Sequence, residues 1–249
     1  MKELEIAKLA CYKAGSFLLD LREKKINSSI KKDIKLQADL DSEEIICKVL
    51  SDAFSYPILS EESYRVSDEE KKGMFWIIDP LDGSLNFNQD IPLCCISIAL
   101  YENDRPILGV IYDFNRDEMF SGIVGVGAWL NDKKIIPFYN TKDKSQAILA
   151  TGFSSYMNYD KDGLMEFISH IQEFKKIRLL GSAALSLAYV ACSRIDAYYE
   201  KDIAIWDVAA GIAILESLGN ITYSFFQNEL KCLVRVENKL KEKNDIRAN

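Results

Sequence analysis

The stretch Phe75–Phe87 reads FWIIDPLDGSLNF and holds two carboxylates three residues apart, Asp79 and Asp82. The run before them, Phe75-Trp76-Ile77-Ile78, has the aromatic and β-branched content of a buried strand. Pro80 has no N–H to give a ladder, so strand pairing is expected to stop at Asp79. Gly83 and Ser84 follow at once in a flexible turn. Paired acids that end a buried strand beside such a turn suit a hard cation, which takes oxygen ligands. Asp-Gly also marks ordinary turns, so the stretch gains meaning only from acids elsewhere.

Three more acids lie at the edges of apolar segments: Asp39, Glu61 and Asp207. Tyr56–Leu59 reads as a short strand that delivers Ser60, Glu61 and Glu62 at its end. Asp207 follows Trp206 and opens the small, apolar helix start Val208-Ala209-Ala210-Gly211, where an acid faces a neighbour or stabilises the helix N-terminus. With 38 Asp and Glu in the chain, any one of these alone reads as a cap or a solvated surface group. As a set they differ, because several end buried strands, where a carboxylate without a partner is costly. His170 is the only histidine, so the set suits Mg²⁺ or Mn²⁺ better than Zn²⁺. Gly83-Ser84 and Gly181-Ser182-Ala183-Ala184 both stand at helix starts, where backbone N–H groups can receive a phosphate. For the second run, tight helix packing is the plainer reading.

The elements that must position these residues are readable from periodicity. Residues 2–22 carry Ala7, Ala10, Cys11, Ala14, Phe17, Leu18 and Leu21 on one helical stripe. Arg22–Lys35 is polar and lysine-rich, a loop or hairpin. A second helix is expected from about Ser42 to Phe54, with Asp41 as N-cap and Glu44 at the third position. Strands Cys94–Tyr101, Ile107–Phe114, Met119–Val124 and Ala128–Leu130 alternate with turn groups and form an antiparallel sheet. The second half alternates strands (Ala147–Thr151, Ile177–Leu180, Ile195–Tyr199) with helices (Gly163–Phe174, Gly181–Cys192, Trp206–Leu218). Ile221–Phe225 and Lys231–Val236 close it as a strand pair, and the charged tail Glu237–Asn249 is expected to fray. The fold class is therefore α+β passing into α/β. An N-terminal sub-domain, 1–140, holds most candidate ligands, and a C-terminal one, 141–249, joins it in a single unit.

At 249 residues and 48% apolar, the chain can bury a substantial core. A net charge of −7 disfavours autonomous binding to nucleic acid or anionic membrane. A phosphorylated substrate must then be received by local positive charge, metal included. No apolar run is long enough to span a membrane, and the N-terminus lacks a signal-peptide pattern. The six cysteines form no CxxC pair, which points to buried, reduced thiols in a cytoplasmic protein.

The runs DIKLQAD (Asp33–Asp39), Glu61-Glu62, WIIDPLDGSLNF and IWDVAAG occur in the order and approximate spacing of the inositol monophosphatase family, which the chain resembles to about Leu218. GSAAL (Gly181–Leu185) and DAYYE (Asp196–Glu200) add to the match. The resemblance implies a layered αβαβα sandwich of the inositol monophosphatase and fructose-1,6-bisphosphatase type. It implies a lithium-sensitive phosphomonoesterase that is Mg²⁺-dependent, with two or three ions, and forms a homodimer. Glu61, Asp79 and the carbonyl of Leu81 match ligands of a first metal; Asp79, Asp82 and Asp207 match those of a second. Glu61 also stands near a third, weaker ion. Ser84 replaces the family's usual threonine and, with Asp39, matches the pair that orients the attacking water; Glu61, Asp39 and Ser84 are thus the catalytic group. Gly83, Ser84, Gly181, Ser182 and Ala183 match substrate-facing positions, and Glu200 matches an acid that contacts a substrate hydroxyl.

That last match favours inositol monophosphate or a similar polyol or sugar phosphate. Nucleoside bisphosphate, fructose bisphosphate and histidinol phosphate are alternatives on the same scaffold; a second phosphate would call on Lys201, Arg178 or Arg194. An alternative of another class is a regulatory binding protein that keeps the scaffold, as some bacterial relatives do in transcription complexes. Ser28, near a position often lysine in the family, and Asn220, in place of a second glycine after Gly219, depart from the pattern.

Overall fold

The computed structural model describes residues 1–21, 25–63, 65–67, 69–136, 143–154, 157–219, 222–228 and 231–237, less 31–32; residues 28–30, 33–35, 222–228 and 237 are described as backbone only. The chain opens with α1 (Lys2–Asp20), which buries Leu4, Ala7, Ala10, Cys11, Ala14 and Leu18, the stripe its periodicity requires. An antiparallel hairpin, β1 (Ile26–Ile30) and β2 (Asp33–Leu36), leads directly into α2 (Gln37–Ala53). The Ser28 side chain, Asn220 and the tail 238–249 lie outside the described residues.

α2 starts five residues before the expected Ser42. The Asp41–Glu44 pair does not cap it. Instead Asp39 reaches back from the third helical position to the N–H of Leu36, at 2.5 Å. An acid in the first helical turn satisfies an orphan donor and the helix dipole together.

Next come β3 (Ile58–Ser60), β4 (Met74–Asp82), the short α3 (Ser84–Asn88), β5 (Cys95–Glu102), β6 (Arg105–Asp113), β7 (Glu118–Ile123), β8 (Gly127–Leu130) and β9 (Lys133–Lys134). They form one seven-stranded sheet in chain order, antiparallel except for the β3–β4 pair. The second half contributes β10 (Ile148–Thr151), α4 (Lys161–Ile171), β11 (Lys176–Leu179), α5 (Ala183–Ala191), β12 (Ala197–Ala204), α6 (Ile205–Leu218), β13 (Thr222–Asn228) and β14 (Lys231–Glu237). Its five-stranded sheet runs β11-β10-β12-β14-β13, parallel across β11-β10-β12 and antiparallel beyond.

Strand alternation sorts the side chains into layers. In β4, Trp76 and Ile78 face α1 and α2, whereas Phe75 and Ile77 face α5 and α6. Both sheet faces are covered, so the strand is apolar from Met74 to Ile78, before its acids. In the second sheet Ala150 and Tyr198 join the central core, and Leu149 and Ala197 pack outward beside Ile171 of α4. The order is helix, sheet, helix, sheet, helix: an αβαβα sandwich with α5 and α6 in the middle. All six cysteines are free thiols, five of them buried.

The middle layer is thin because its residues are small. A methyl group at Gly109 of β6 would strike the Ala210 backbone of α6, so helix and sheet are in backbone contact there. Gly109→Ala should therefore lower the unfolding free energy by about 1–3 kcal/mol. Gly73→Ala, whose methyl would meet only the Glu70 carbonyl at 3.8 Å, should stay within about 0.5 kcal/mol. Urea unfolding followed by tryptophan fluorescence reads both.

Candidate metal and phosphate site

β4 does not stop at Asp79 as expected but runs on through Pro80 to Asp82. Asp79 pairs with Ser97, the register then slips, and pairing resumes at Asp82 with Cys95. The missing N–H of Pro80 makes this interval a bulge rather than an end. Ser42 of α2 donates to the Pro80 carbonyl at 2.8 Å, and the N–H of Leu81 donates to Asp79 Oδ1 at 3.0 Å. Gly83, at φ +89°, turns the chain into α3; a side chain there would meet the Leu93 carbonyl at 2.8 Å. Ser84 Oγ then lies 2.9 Å from both Asp39 Oδ1 and the Leu81 carbonyl, and its single proton serves one of them at a time.

One carboxylate oxygen each from Glu61, Asp79 and Asp207 lie within 4.8 Å of one another. They come from the ends of β3 and β4 and the start of α6. Burial, reinforced by Glu61 and Asp82, holds the carboxyls of Asp79 and Asp207 well above the usual range; Asp207 adds to this at Asp79 and Glu200 at Asp207, where a hydrogen bond with Asp79 pulls the other way. Asp82 is pushed up to about 6 by burial, against the pull of its hydrogen bonds. Its Oδ2 accepts from Ser182 Oγ at 2.5 Å and from the Ala184 N–H at 2.7 Å. The N-terminus of α5 is therefore aimed at Asp82, so those donors meet a protein carboxylate. Gly181, at φ +71°, keeps Asn86 close; Asn86 Nδ2 donates to the Leu93 and Leu180 carbonyls.

A cleft of about 330 Å³ opens over these groups, lined by Glu61, Asp82, Asp207, Gly181, Ser182, Ala183 and Glu200 among others. Asp79 and Asp39 lie behind its wall, 1% and 2% exposed. Tyr198 Oη donates to Glu200 Oε2 at 2.9 Å. Burial raises the Glu200 carboxyl to about 7, although the tyrosine lowers it. A side chain at Gly152 would meet that carboxylate at 2.5 Å, so the glycine gives Glu200 its room. The three cations considered for a second phosphate are not in the wall. Arg194 forms a two-pronged pair with Glu118, Lys201 reaches Glu166, and Arg178 bonds to the Ile177 carbonyl.

Comparison with known proteins agrees with this architecture. A family model described as the inositol monophosphatase family matches residues 2–246. The chain belongs to the inositol monophosphatase family. A relative from Xylella fastidiosa named Nus factor SuhB is 40% identical over 195 residues, 78% of this chain and 70% of that protein. An inositol-1-monophosphatase from Bacillus subtilis is 32% identical over 231 residues, 90% and 86% of the two chains. The inositol monophosphatase structure from Anabaena (Nostoc) sp. PCC 7120 superposes with a TM-score of 0.82 at 32% identity, covering 94% of this chain and 90% of that one. Both functional names thus occur among relatives of this family member, and the layered fold is shared.

Three residues that the structure brings against the site's chain segments were not singled out in the sequence: Ser42, Glu43 and Asn86. Ser42 and Glu43 follow Asp39 by three and four residues, which puts them on its face of a helix. That spacing was visible, but it carries meaning only once α2 starts at Gln37. Asn86 gives no local signal, because its partners are carbonyls distant in the chain.

A cluster of buried and half-buried acids with oxygen donors only, with Asp79 and Asp207 held well above the usual carboxylate range, fits a hard divalent cation. In the metal-free protein, Asp82 and Glu200 hold protons in the folded state that the unfolded chain releases near pH 4, so their contribution to stability is lost as pH rises toward about 6 to 7. A cation competes with those protons. The thermal midpoint should thus rise on adding Mg²⁺ by more at pH 7.5 than at pH 5, measured against EDTA by differential scanning fluorimetry. Equal or absent shifts at the two pH values would count against the cation site.

Proposed function

We propose that this protein is a Mg²⁺-dependent phosphomonoesterase acting on a small phosphorylated metabolite, an inositol monophosphate or a similar polyol or sugar phosphate. The observation that carries the reading is the meeting of Glu61, Asp79 and Asp207 within 4.8 Å beside a cleft that also holds Glu200. Glu61, Asp79, Asp82, Asp207 and the Leu81 carbonyl are the groups that would hold the metal. Bound there, Mg²⁺ supplies the charge neutralisation a phosphate dianion needs and Lewis acidity toward the departing oxygen.

The chain's own residues do the positioning. With its proton on Asp39, the Ser84 hydroxyl keeps its lone pairs for a hydrogen of the incoming water and so orients it. Asp39 is fixed for this by its other oxygen, which caps α2 at Leu36. The Gly181–Ala183 segment, which lines the cleft, would be its phosphate side, and the turn Gly83-Ser84 follows Asp82 outside that lining. Glu200 faces the alcohol side, where a carboxylate can accept from substrate hydroxyls. The ion pairs that occupy Arg194 and Lys201 favour a monophosphate over a bisphosphate.

A second reading, a regulatory role on the same scaffold, draws on the relatives named Nus factor SuhB. The two separate in one assay: a panel of sugar, polyol, nucleotide and amino-alcohol phosphates with Mg²⁺, with and without Li⁺. The phosphatase reading expects phosphate release that Li⁺ suppresses, greatest with polyol or sugar monophosphates. Asp207→Asn should cut that release by more than about 100-fold, since even outer-shell partners of a metal cost 10–100-fold, and should leave the circular dichroism unchanged. Asp82→Asn should do the same at a lower thermal midpoint, because Asp82 also receives the end of α5. Release from none of these esters would leave the regulatory role as the surviving reading.

A further inference from the structure

We propose that Glu43 is a positioning residue that aims Glu61 and thereby sets the affinity of the acid cluster for its cation; this rests on the phosphatase reading above. Asp39, Ser42 and Glu43 share one face of α2, and each secures a different chain end. Asp39 takes Ser84, Ser42 takes the Pro80 carbonyl, and Glu43 takes the end of β3.

Glu43 is 2% exposed. Its Oε2 accepts from Ser60 Oγ and, at 3.2 Å, from the N–H of Glu62. These donors flank Glu61 on either side, so one oxygen fixes both neighbours of the acid. From the other direction Arg65 donates to the Ser60 carbonyl at 2.5 Å and to the Glu61 carbonyl at 3.3 Å. Its guanidinium lies 5.6 Å over the Trp206 ring, next in the chain to Asp207. The segment 61–63 belongs to no helix or strand, and no ladder of hydrogen bonds aims Glu61. The Glu43 and Arg65 contacts fix the backbone from which its carboxylate projects toward Asp79 and Asp207.

The chemistry separates positioning from direct participation. A group that only receives Ser60 and Glu62 needs an acceptor oxygen, which glutamine supplies, whereas a ligand or a base needs the negative charge. Calorimetric titration with Mn²⁺ should therefore give about tenfold weaker binding for Glu43→Ala, as is common for groups that orient metal ligands, and near wild-type binding for Glu43→Gln. Ser60→Ala, which removes one of the two donors, should fall between them. The half-saturating Mg²⁺ concentration for phosphate release should rise in the same order, with turnover at saturating Mg²⁺ largely kept. Midpoints in EDTA show which variants are folded; if Glu43→Ala is not, Ser60→Ala and Glu43→Gln decide. Wild-type affinity in a folded Glu43→Ala or in Ser60→Ala would overturn the inference, and so would Glu43→Gln that binds no better than Glu43→Ala. A wild-type protein that binds no Mn²⁺ would instead overturn the phosphatase reading beneath it.

Discussion

The structure is governed by one unfavourable arrangement: several carboxylates brought together out of water. Charges of like sign in a low-dielectric interior repel strongly, and each also loses its hydration. The fold holds them by giving four of the acids their own donors from rigid elements. Asp79 has the Leu81 amide, Asp82 the end of α5, Asp39 the start of α2 and Glu200 the hydroxyl of Tyr198. These donors hold the geometry, and the residual negative charge is what makes the place attractive to a cation.

That requirement explains why helix ends crowd around the cleft. α2, α5 and α6 all start there, and the β3 and β4 ends arrive from the adjoining sheet. The small residues of α6 let it lie against β6 in backbone contact, so Asp207 is delivered from the middle of the sandwich. A site assembled from a shared inner layer has little freedom to rearrange unless the two sheets move apart.

Much of this was legible in the sequence. The buried strand at Phe75–Ile78, the small-residue helix after Trp206 and the meander of the first sheet all follow from residue type, side-chain period and turn chemistry. What misled was local chemistry without its tertiary context. Asp41 and Glu44 have the spacing of a capping pair, yet the helix begins at Gln37, where Asp39 takes the Leu36 N–H and shares one face with Ser42 and Glu43. Pro80 reads as a strand end, yet β5 continues on the far side and the ladder skips a step. Glu43 looks no different from Glu44 in sequence; only burial against Ser60 distinguishes it. The Gly181–Ala184 segment has the composition of an anion site, and the anion its amides meet is Asp82.

The bulge in β4 makes chain length itself a functional quantity. Trp76 and Ile78 serve one core and Phe75 and Ile77 the other, so a slip of one residue would exchange the two faces and bury nothing correctly. Within the bulge the same slip would trade Asp79 for Pro80 at the junction with Glu61 and Asp207. Turns such as Glu102–Arg105, at the opposite end of the sheet, can lengthen or shorten without touching the acids. Among the apolar positions Phe75–Ile78 the chain can tolerate changes of residue type more readily than the gain or loss of a single residue.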